Sequence, residues 1–108
     1  MLVNEKDENK LYQISADISG ELELYNNSSQ LLKNDSVYVL LDNTLKKIYL
    51  WIGQSAGVRS RFIATNAAQK LQRSKGLTHR VITVDQGEES LEFIKTISPM
   101  VLPEQFNK

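Results

Sequence analysis

A stretch near the middle of the chain, residues 35–73, constrains the fold more than any other part of the sequence. Ser36–Leu41 is almost entirely apolar and rich in residues that favour strands, which is typical of a strand covered on both faces. A polar turn at Asp42–Thr44 separates it from a second, largely apolar segment, Leu45–Ile52, which Gly53 ends. The sequence therefore predicts an antiparallel hairpin that leads directly into a helix.

A long helix is predicted after the hairpin, over Val58–Arg73, with Ser55 as its N-cap. At about 100° per residue, one side of this helix collects small and apolar residues that suit close packing against a sheet. These residues are Ala64, Ala67, Ala68 and Leu71. The opposite side carries Arg59, Phe62, Ile63, Asn66, Lys70 and Arg73. Two interpretations of Phe62 and Ile63 stay open: they cover more of the core, or they form an apolar pair in a surface that docks into a partner's groove.

The rest of the chain predicts three further strands and one shorter helix. The strands are Leu11–Ile14, Glu21–Tyr25 and Arg80–Val84, and the helix is Glu88–Ile97. This order of elements predicts an α+β fold in which a mixed sheet of about five strands lies between one long and one short helix. We expect residues 1–10 to be a flexible lead-in, residues 11–98 to form the domain and residues 99–108 to be an irregular tail.

The composition of the chain excludes several classes of function. Thirteen basic residues balance thirteen acidic ones, so no overall field points to nucleic acid or to a charged membrane. The chain has no cysteine, which excludes disulfides, thiolate metal sites and cysteine nucleophiles. The single histidine, His79, is far from any serine in a nucleophile context, and no phosphate-binding loop is present, so we do not expect an enzyme. Without a bilayer-spanning apolar run or a signal peptide, we expect a cytoplasmic protein.

Four segments together resemble one gelsolin-like domain, the repeat found in gelsolin, villin and severin. They are Lys10–Ile14, Asn34–Leu40, Ile48–Gly53 and Val84–Glu88, in the order and at workable spacings for that family. The resemblance covers the chain from Leu11 to about Ile97, and it extends to the gelsolin-like proteins of Asgard archaea. It implies a five-stranded mixed sheet between one long and one short helix.

The resemblance also implies actin binding, by insertion of the long helix into the cleft between actin subdomains. A single domain of this kind is expected to bind monomers, cap filament ends or bind filament sides, and to be associated with the cytoskeleton. Together with the helix pattern, this makes Phe62 and Ile63 apolar anchors and adds four polar contacts. These are Arg59, Asn66, Lys70 and Arg73. The alternative function is that of a structural interaction module in a larger assembly, as in vesicle coat subunits whose gelsolin-like domains bind neither actin nor calcium.

Calcium within the domain is a further implication of the resemblance. The family holds this ion with a Gly-Asp or Asn-Asp pair, a glutamate early in the long helix and a group near the domain's end. Asn34 and Asp35 match the pair, and Glu104 is the candidate for the last ligand. The glutamate position, seven residues after Gly53, is Ser60 here, flanked by two arginines. Because calcium takes about six to eight oxygen ligands and favours negative charge, we expect a site that is weak or that a partner completes.

Positive charge is concentrated along the long helix and just after it. The residues are Arg59, Arg61, Lys70, Arg73, Lys75, His79 and Arg80. Such a run is usually a solvated face; the functional alternatives are contacts with acidic side chains of actin or with phosphoinositide head groups, which the family also binds. The lack of interleaved aromatic residues argues against nucleic acid. A second calcium ion of the family is shared with actin through an acidic residue late in the helix, but Gln72 stands at that position here.

Overall fold

The computed structural model describes residues 9–14, 21–25, 31–101 and 103–106. Within these residues the chain forms five strands, two α-helices and a short 3-10 helix. Their bounds are β1 Lys10–Ile14, β2 Leu22–Leu24, β3 Val37–Asp42, β4 Lys47–Ile52, α1 Val58–Ser74, β5 Arg80–Asp85, α2 Leu91–Ile97 and the 3-10 helix Pro103–Phe106. The predicted α+β class, with a mixed five-stranded sheet between a long and a short helix, is confirmed.

The sheet has the strand order β2-β1-β3-β4-β5. Neighbouring strands are antiparallel except for β4 and β5, which are parallel. The predicted hairpin is formed by β3 and β4, whose register runs from Val37 opposite Ile52 to Asp42 opposite Lys47. Because parallel neighbours need a long crossover connection, α1 bridges β4 and β5 and lies against the sheet.

Side chains of the two central strands alternate between two cores, one on each face of the sheet. One face packs against α1 and includes Val39 and Leu50, together with the buried alanines of the helix. The other face packs against α2 and includes Tyr38, Tyr49 and Trp51. Every residue of β3 is buried, as its apolar sequence predicts for a strand covered on both sides.

The two helices begin differently, and both starts correct the sequence prediction. Ser55 is not the N-cap of α1; Gly57 takes that position and makes no side-chain capping bond. The backbone N–H of Ser55 instead donates a hydrogen bond to the Asn34 carbonyl oxygen, at 2.8 Å. Helix α2 begins at Leu91 rather than Glu88, because the Ser90 hydroxyl caps it by accepting a hydrogen bond from a backbone N–H of the first turn.

Both ends of the described chain pack onto the sheet. Strand β1 starts at Lys10, and the first eight residues of the predicted lead-in lie outside the described residues. At the other end, Val101 is buried and the Phe106 ring lies 6.0 Å from that of Phe93 in an edge-to-face contact. Within the predicted irregular tail, Pro103–Phe106 forms the 3-10 helix, and Val101 and Phe106 join the core of the α2 face. The domain limits of 11–98 remain a prediction.

No helix among the described residues is long and apolar enough to cross a bilayer. The longer helix, α1, has 17 residues and contains four basic side chains.

Candidate functional site

The outward side of α1 presents two large apolar side chains to solvent. Val58 is 85% exposed and Phe62 is 69% exposed. They are four residues apart and therefore lie side by side on the helix surface. Exposed polar and basic residues surround them, namely Arg59, Arg61, Thr65, Asn66, Gln69, Lys70 and Arg73. We call this set, with Val58 and Phe62, the outer face of α1.

The structure corrects the expected apolar pair on this face. Phe62 is exposed as expected, but Ile63 is half-buried and packs against the α1 side of the core. One residue of helix turns the side chain by about 100°, which carries Ile63 from the outer face toward the buried alanines. Val58 takes its place beside Phe62. Sequence reasoning missed Val58, although its spacing of four residues from Phe62 is a signal that would have found it.

Small side chains hold α1 against the sheet, as predicted. Ala64 and Ala68 are completely buried, Ala67 is buried, and Leu71 packs at the edge of the same core. Because alanine occupies little space, the helix lies close to the sheet without using any large outer-face residue for its attachment. The whole outer face is therefore available to a partner.

The charge of α1 is uniformly positive. Its sequence contains four basic residues and no acidic one. Of the predicted polar contacts, Arg59, Asn66, Lys70 and Arg73 are all exposed. The Coulomb field of this helix thus favours a partner surface that carries acidic side chains.

A tight turn before β3 fixes the start of α1. The Asn34 carbonyl accepts the hydrogen bond from Ser55, and the Ser36 carbonyl accepts one from the Gly53 N–H at 3.0 Å. A Cβ atom on Gly53 would lie 2.2 Å from the Asn34 carbonyl oxygen, so only glycine fits at this position. The segment Trp51–Gly53 of the sequence motif therefore ends in a glycine for a steric reason.

Two positions that the resemblance assigns to calcium, Asp35 and Ser60, lie beside this turn. Asp35 and Ser60 line one surface cavity of about 240 Å³, together with Glu23, Gln13 and Ser36. Glu23 was not predicted as a site residue. The alternation of its strand is a signal that would have found it, because it places the Glu23 side chain on the face opposite to those of Leu22 and Leu24. The Asp35 carboxylate accepts a hydrogen bond from the Ser36 hydroxyl at 3.0 Å.

These residues match the family's calcium ligands only in part. The cavity offers the carboxylates of Asp35 and Glu23, but Ser60 supplies a hydroxyl where the family has a bidentate carboxylate. The Asn34 carbonyl, the other half of the expected pair, accepts the hydrogen bond from Ser55. The described residues contain no group of three or more acidic or histidine side chains suited to a metal ion. The side chain of Glu104 lies outside the described residues.

Gln72, at the position of the second family ion, serves the fold. Its side-chain amide donates a hydrogen bond of 2.9 Å to the backbone carbonyl of His79. This bond ties the last turns of α1 to the start of β5. The side chain is half-buried, in contrast to the exposed Arg73 beside it.

His79 is buried, so it does not belong to the exposed basic run. The side chain is 4% exposed, and its ring nitrogens lie 3.0 Å from the Thr78 hydroxyl and 3.0 Å from the Asn43 side-chain oxygen. Burial lowers the pKa of His79 below its ordinary value, and the positive charges of Lys46 and Lys75 lower it further, whereas Asp42 opposes them. His79 is thus a structural residue at the junction of β5 with the β3–β4 turn.

Trp51 anchors the α2 side of the sheet, as expected. The side chain is buried, and its indole N–H donates a hydrogen bond of 2.8 Å to the Glu89 carboxylate. That carboxylate also accepts hydrogen bonds from the backbone N–H of Gly87, at 3.1 Å. Trp51 thereby fixes the connection between β5 and α2 and is not a platform for a ligand.

Comparison with known proteins identifies the family. No curated protein sequence matches the chain significantly. The chain is similar in structure to Thorarchaeota ProGel from its complex with rabbit actin, with 24% identity, a TM-score of 0.72, and coverage of 82% of this chain and 97% of that one. It is also similar to Thorarchaeota 2DGel3 from its rabbit actin complex, with 22% identity, a TM-score of 0.70 and coverage of 89% of this chain.

The present chain spans 48% of that second protein. Both likenesses support the fold described above. The sequence model of the gelsolin repeat matches residues 23–94, which is more than half of the chain. The resemblance seen in the sequence motifs is thereby confirmed: this chain belongs to the gelsolin repeat family.

Proposed function

We propose that this chain is an actin-binding domain that docks the outer face of α1 into a groove on actin. The observation that carries the proposal is the pair of exposed apolar side chains, Val58 and Phe62, at the centre of a basic helix face. Membership of the gelsolin repeat family supports it, as do two similar structures that were crystallised with rabbit actin. Such binding would associate the protein with the cytoskeleton.

The arrangement of the outer face matches the way an amphipathic helix binds a groove. In that mode, apolar side chains on one or two turns enter the groove while polar side chains contact its rim. Burial of a side chain such as Phe62 or Val58 contributes about 1.5–3 kcal/mol, enough to make a binding hot spot. Arg59, Asn66, Lys70 and Arg73 then contact the rim, and Ile63 supports the helix from behind.

The basic side chains have a second use on this proposal. Phosphoinositide head groups carry the same kind of negative charge as an acidic rim, so they would compete with actin for Arg59, Lys70 and Arg73. Competition of this kind weakens actin binding without any change in the fold.

A charge placed at the centre of the outer face tests the proposal. We expect Phe62→Asp to abolish the effect of the protein on pyrene-actin polymerisation, because a carboxylate at this position cannot enter an apolar groove. The matched control is Leu91→Asp, since Leu91 is 76% exposed on the helix that packs against the opposite face of the sheet. Equal loss of activity in both variants, or none in either, would contradict docking through α1.

The alternative, a structural module that does not bind actin, is favoured by Ser60 and Gln72. Neither position carries the acidic residue through which the family engages calcium and actin, and Gln72 is bonded within its own domain. The unsubstituted protein decides between the two functions. A folded protein at excess over actin that neither alters polymerisation nor cosediments nor binds monomers supports the structural module.

Calcium control belongs to the same proposal, and we propose that it is weak in the isolated domain. The cavity beside Ser60 has too few carboxylates for tight binding, and two arginines flank that serine. We expect millimolar calcium to change the melting temperature little, and calcium or a chelator to change actin affinity only if actin completes the site. A clear rise in melting temperature that disappears in Asp35→Ala would show that the domain binds the ion by itself.

A further inference from the structure

The side chain of Gln105, near the end of the described chain, pairs with a backbone segment far from it in sequence. Its oxygen accepts a hydrogen bond of 2.8 Å from the Leu32 N–H, and its nitrogen donates one of 2.9 Å to the Leu32 carbonyl. One amide thus occupies both backbone groups of Leu32, as a neighbouring strand would. The Leu32 side chain is buried, so these two groups need partners within the protein.

Gln105 is held in place by the core of the α2 face. It lies in the 3-10 helix Pro103–Phe106, between the buried Val101 and the ring of Phe106, which packs on Phe93. We call the described residues 101 and 103–106 the C-terminal strap. Because both sides of Gln105 are anchored, the strap can fix Leu32 relative to the core.

A series of hydrogen bonds continues from Leu32 to the start of α1. The Lys33 N–H donates to the buried Tyr38 hydroxyl at 2.9 Å. The next residue, Asn34, accepts the bond from Ser55, and Ser36 accepts the one from Gly53. The backbone of residues 32–36 is therefore bonded to the strap at one end and to the residues before α1 at the other.

The start of α1 is not fixed by a capping side chain. Its N-cap, Gly57, makes no side-chain bond to the first turn, whereas the Ser90 hydroxyl does so in α2. The direction in which the chain enters the helix sets the direction in which the side chains of Val58 and Phe62 point. That direction is fixed by the contacts of Gly53 and Ser55 with the turn at Asn34.

We propose that Gln105 is a positioning residue for the interaction face of α1. It acts through residues 32–36 and holds the turn against which the helix begins. The effect on the first turn of α1 belongs to the free protein, and only the effect on partner affinity rests on the proposed actin binding. The C-terminal strap and the outer face of α1 are then coupled across the sheet, although they lie on opposite sides of it.

Amide hydrogen exchange in the free protein tests the coupling. In Gln105→Leu, which loses both bonds, we expect the amides of Gly53 and Ser55 to exchange about tenfold faster. The amide of Leu50, in the middle of the sheet, reports global opening and should change less. Unchanged exchange at Gly53 and Ser55, or equal acceleration at Leu50, would overturn the proposal. Gln105→Glu is a second variant of nearly the same shape, which removes the donor and should act in the same direction.

Actin affinity provides the second measurement, with a control for general loss of stability. Ser90→Ala removes the hydrogen bond that caps α2, which lowers stability, and this bond is separate from those of Gln105 with Leu32. We expect Gln105→Leu to weaken actin binding about threefold to tenfold and Ser90→Ala to leave it unchanged. Equal affinities in the parent protein and Gln105→Leu would refute the positioning role. If the parent protein does not bind actin at all, the proposed function fails, and the exchange measurement still decides whether Gln105 positions α1.

Discussion

The two helices cover opposite faces of one sheet but attach to it in different ways. Helix α1 has 17 residues, and its buried residues are three alanines. Helix α2 has seven residues and buries Phe93 and Ile97, which are both completely inaccessible. The long helix leaves Val58 and Phe62 in solvent, whereas most of the apolar surface of the short one, apart from Leu91, faces the core.

This difference separates stability from recognition. A buried phenylalanine removes far more apolar surface from water than a buried alanine, so α2 stabilises the fold more per residue than α1 does. Helix α1 gains less from each contact but needs only a narrow strip of its surface to stay attached. The larger remainder is free to bind a partner.

The largest expected effect is on the α2 side. We expect Phe93→Ala to lower the free energy of unfolding by about 3–5 kcal/mol, because it leaves a cavity among tightly packed aromatic rings. The same change on α1, Phe62→Ala, should alter it by less than about 0.5 kcal/mol, since Phe62 is exposed. Urea denaturation of both variants makes the comparison. Similar losses would mean that Phe62 is part of the core and that the helices do not differ as described.

A smaller loss is expected when the alanine contact is enlarged. Ala68 is completely buried between α1 and the sheet. We expect Ala68→Leu to destabilise the protein by about 1–3 kcal/mol through overpacking. Gln69→Leu, one residue further on the exposed side, should stay within about 0.5 kcal/mol of the parent. If Ala68→Leu were tolerated as well as Gln69→Leu, the close approach of helix and sheet would not be needed.

Capping gives a third comparison with effects of opposite sign. Ser90→Ala removes the cap of α2 and should cost about 1 kcal/mol of stability. Gly57→Ser should add a cap to α1 and stabilise by a few tenths of a kcal/mol, because Gly57 has φ −73° and ψ 164° and a Cβ there meets no atom within 4 Å. Thermal melting of the two variants measures both effects. A loss of stability in Gly57→Ser would show that the backbone at the start of α1 does not accommodate a capping side chain.

The smallest effect is the pH dependence of stability caused by His79, next to the start of β5. The pKa of His79 is lowered from 6.5 in the folded protein, chiefly by burial, so the unfolded chain binds a proton at a higher pH than the folded chain does. Stability therefore falls as the pH drops below 6.5, and the loss ends once the folded protein is also protonated.

Chemical denaturation between pH 7 and about 5, above the range where carboxylates titrate, measures this slope. His79→Gln should flatten it. A slope of the same size in His79→Gln would assign the pH dependence to other groups.

The fold could be predicted from the sequence because its strongest signals are local. The unbroken apolar run of β3 and the alanine side of α1 each specify which faces are covered, and both are found as expected. The Trp51–Gly53 segment ends where the backbone meets Asn34, a contact that only glycine permits. Family motifs built on such constraints can be recognised without a structure.

Other features depend on contacts between distant residues and could not be predicted. Ser55 looks like a helix cap, but its backbone is bonded to Asn34. Ile63 looks exposed on a helical projection, but it lies at the edge of the core. The sequence of the strap predicts no regular element, because a short 3-10 helix has no periodic signal. In each case tertiary contacts override a plausible local pattern.

The packing of α1 through buried alanines has a consequence for how the sequence of such a domain evolves. The residues that hold the helix to the sheet and the residues of its outer face are two separate sets along the same 17 positions. Substitutions in the second set can therefore alter partner choice while the first keeps the helix in place. The same scaffold can be redirected from one binding groove to another by exchanging a few outward side chains, in laboratory selection as well as in natural descent.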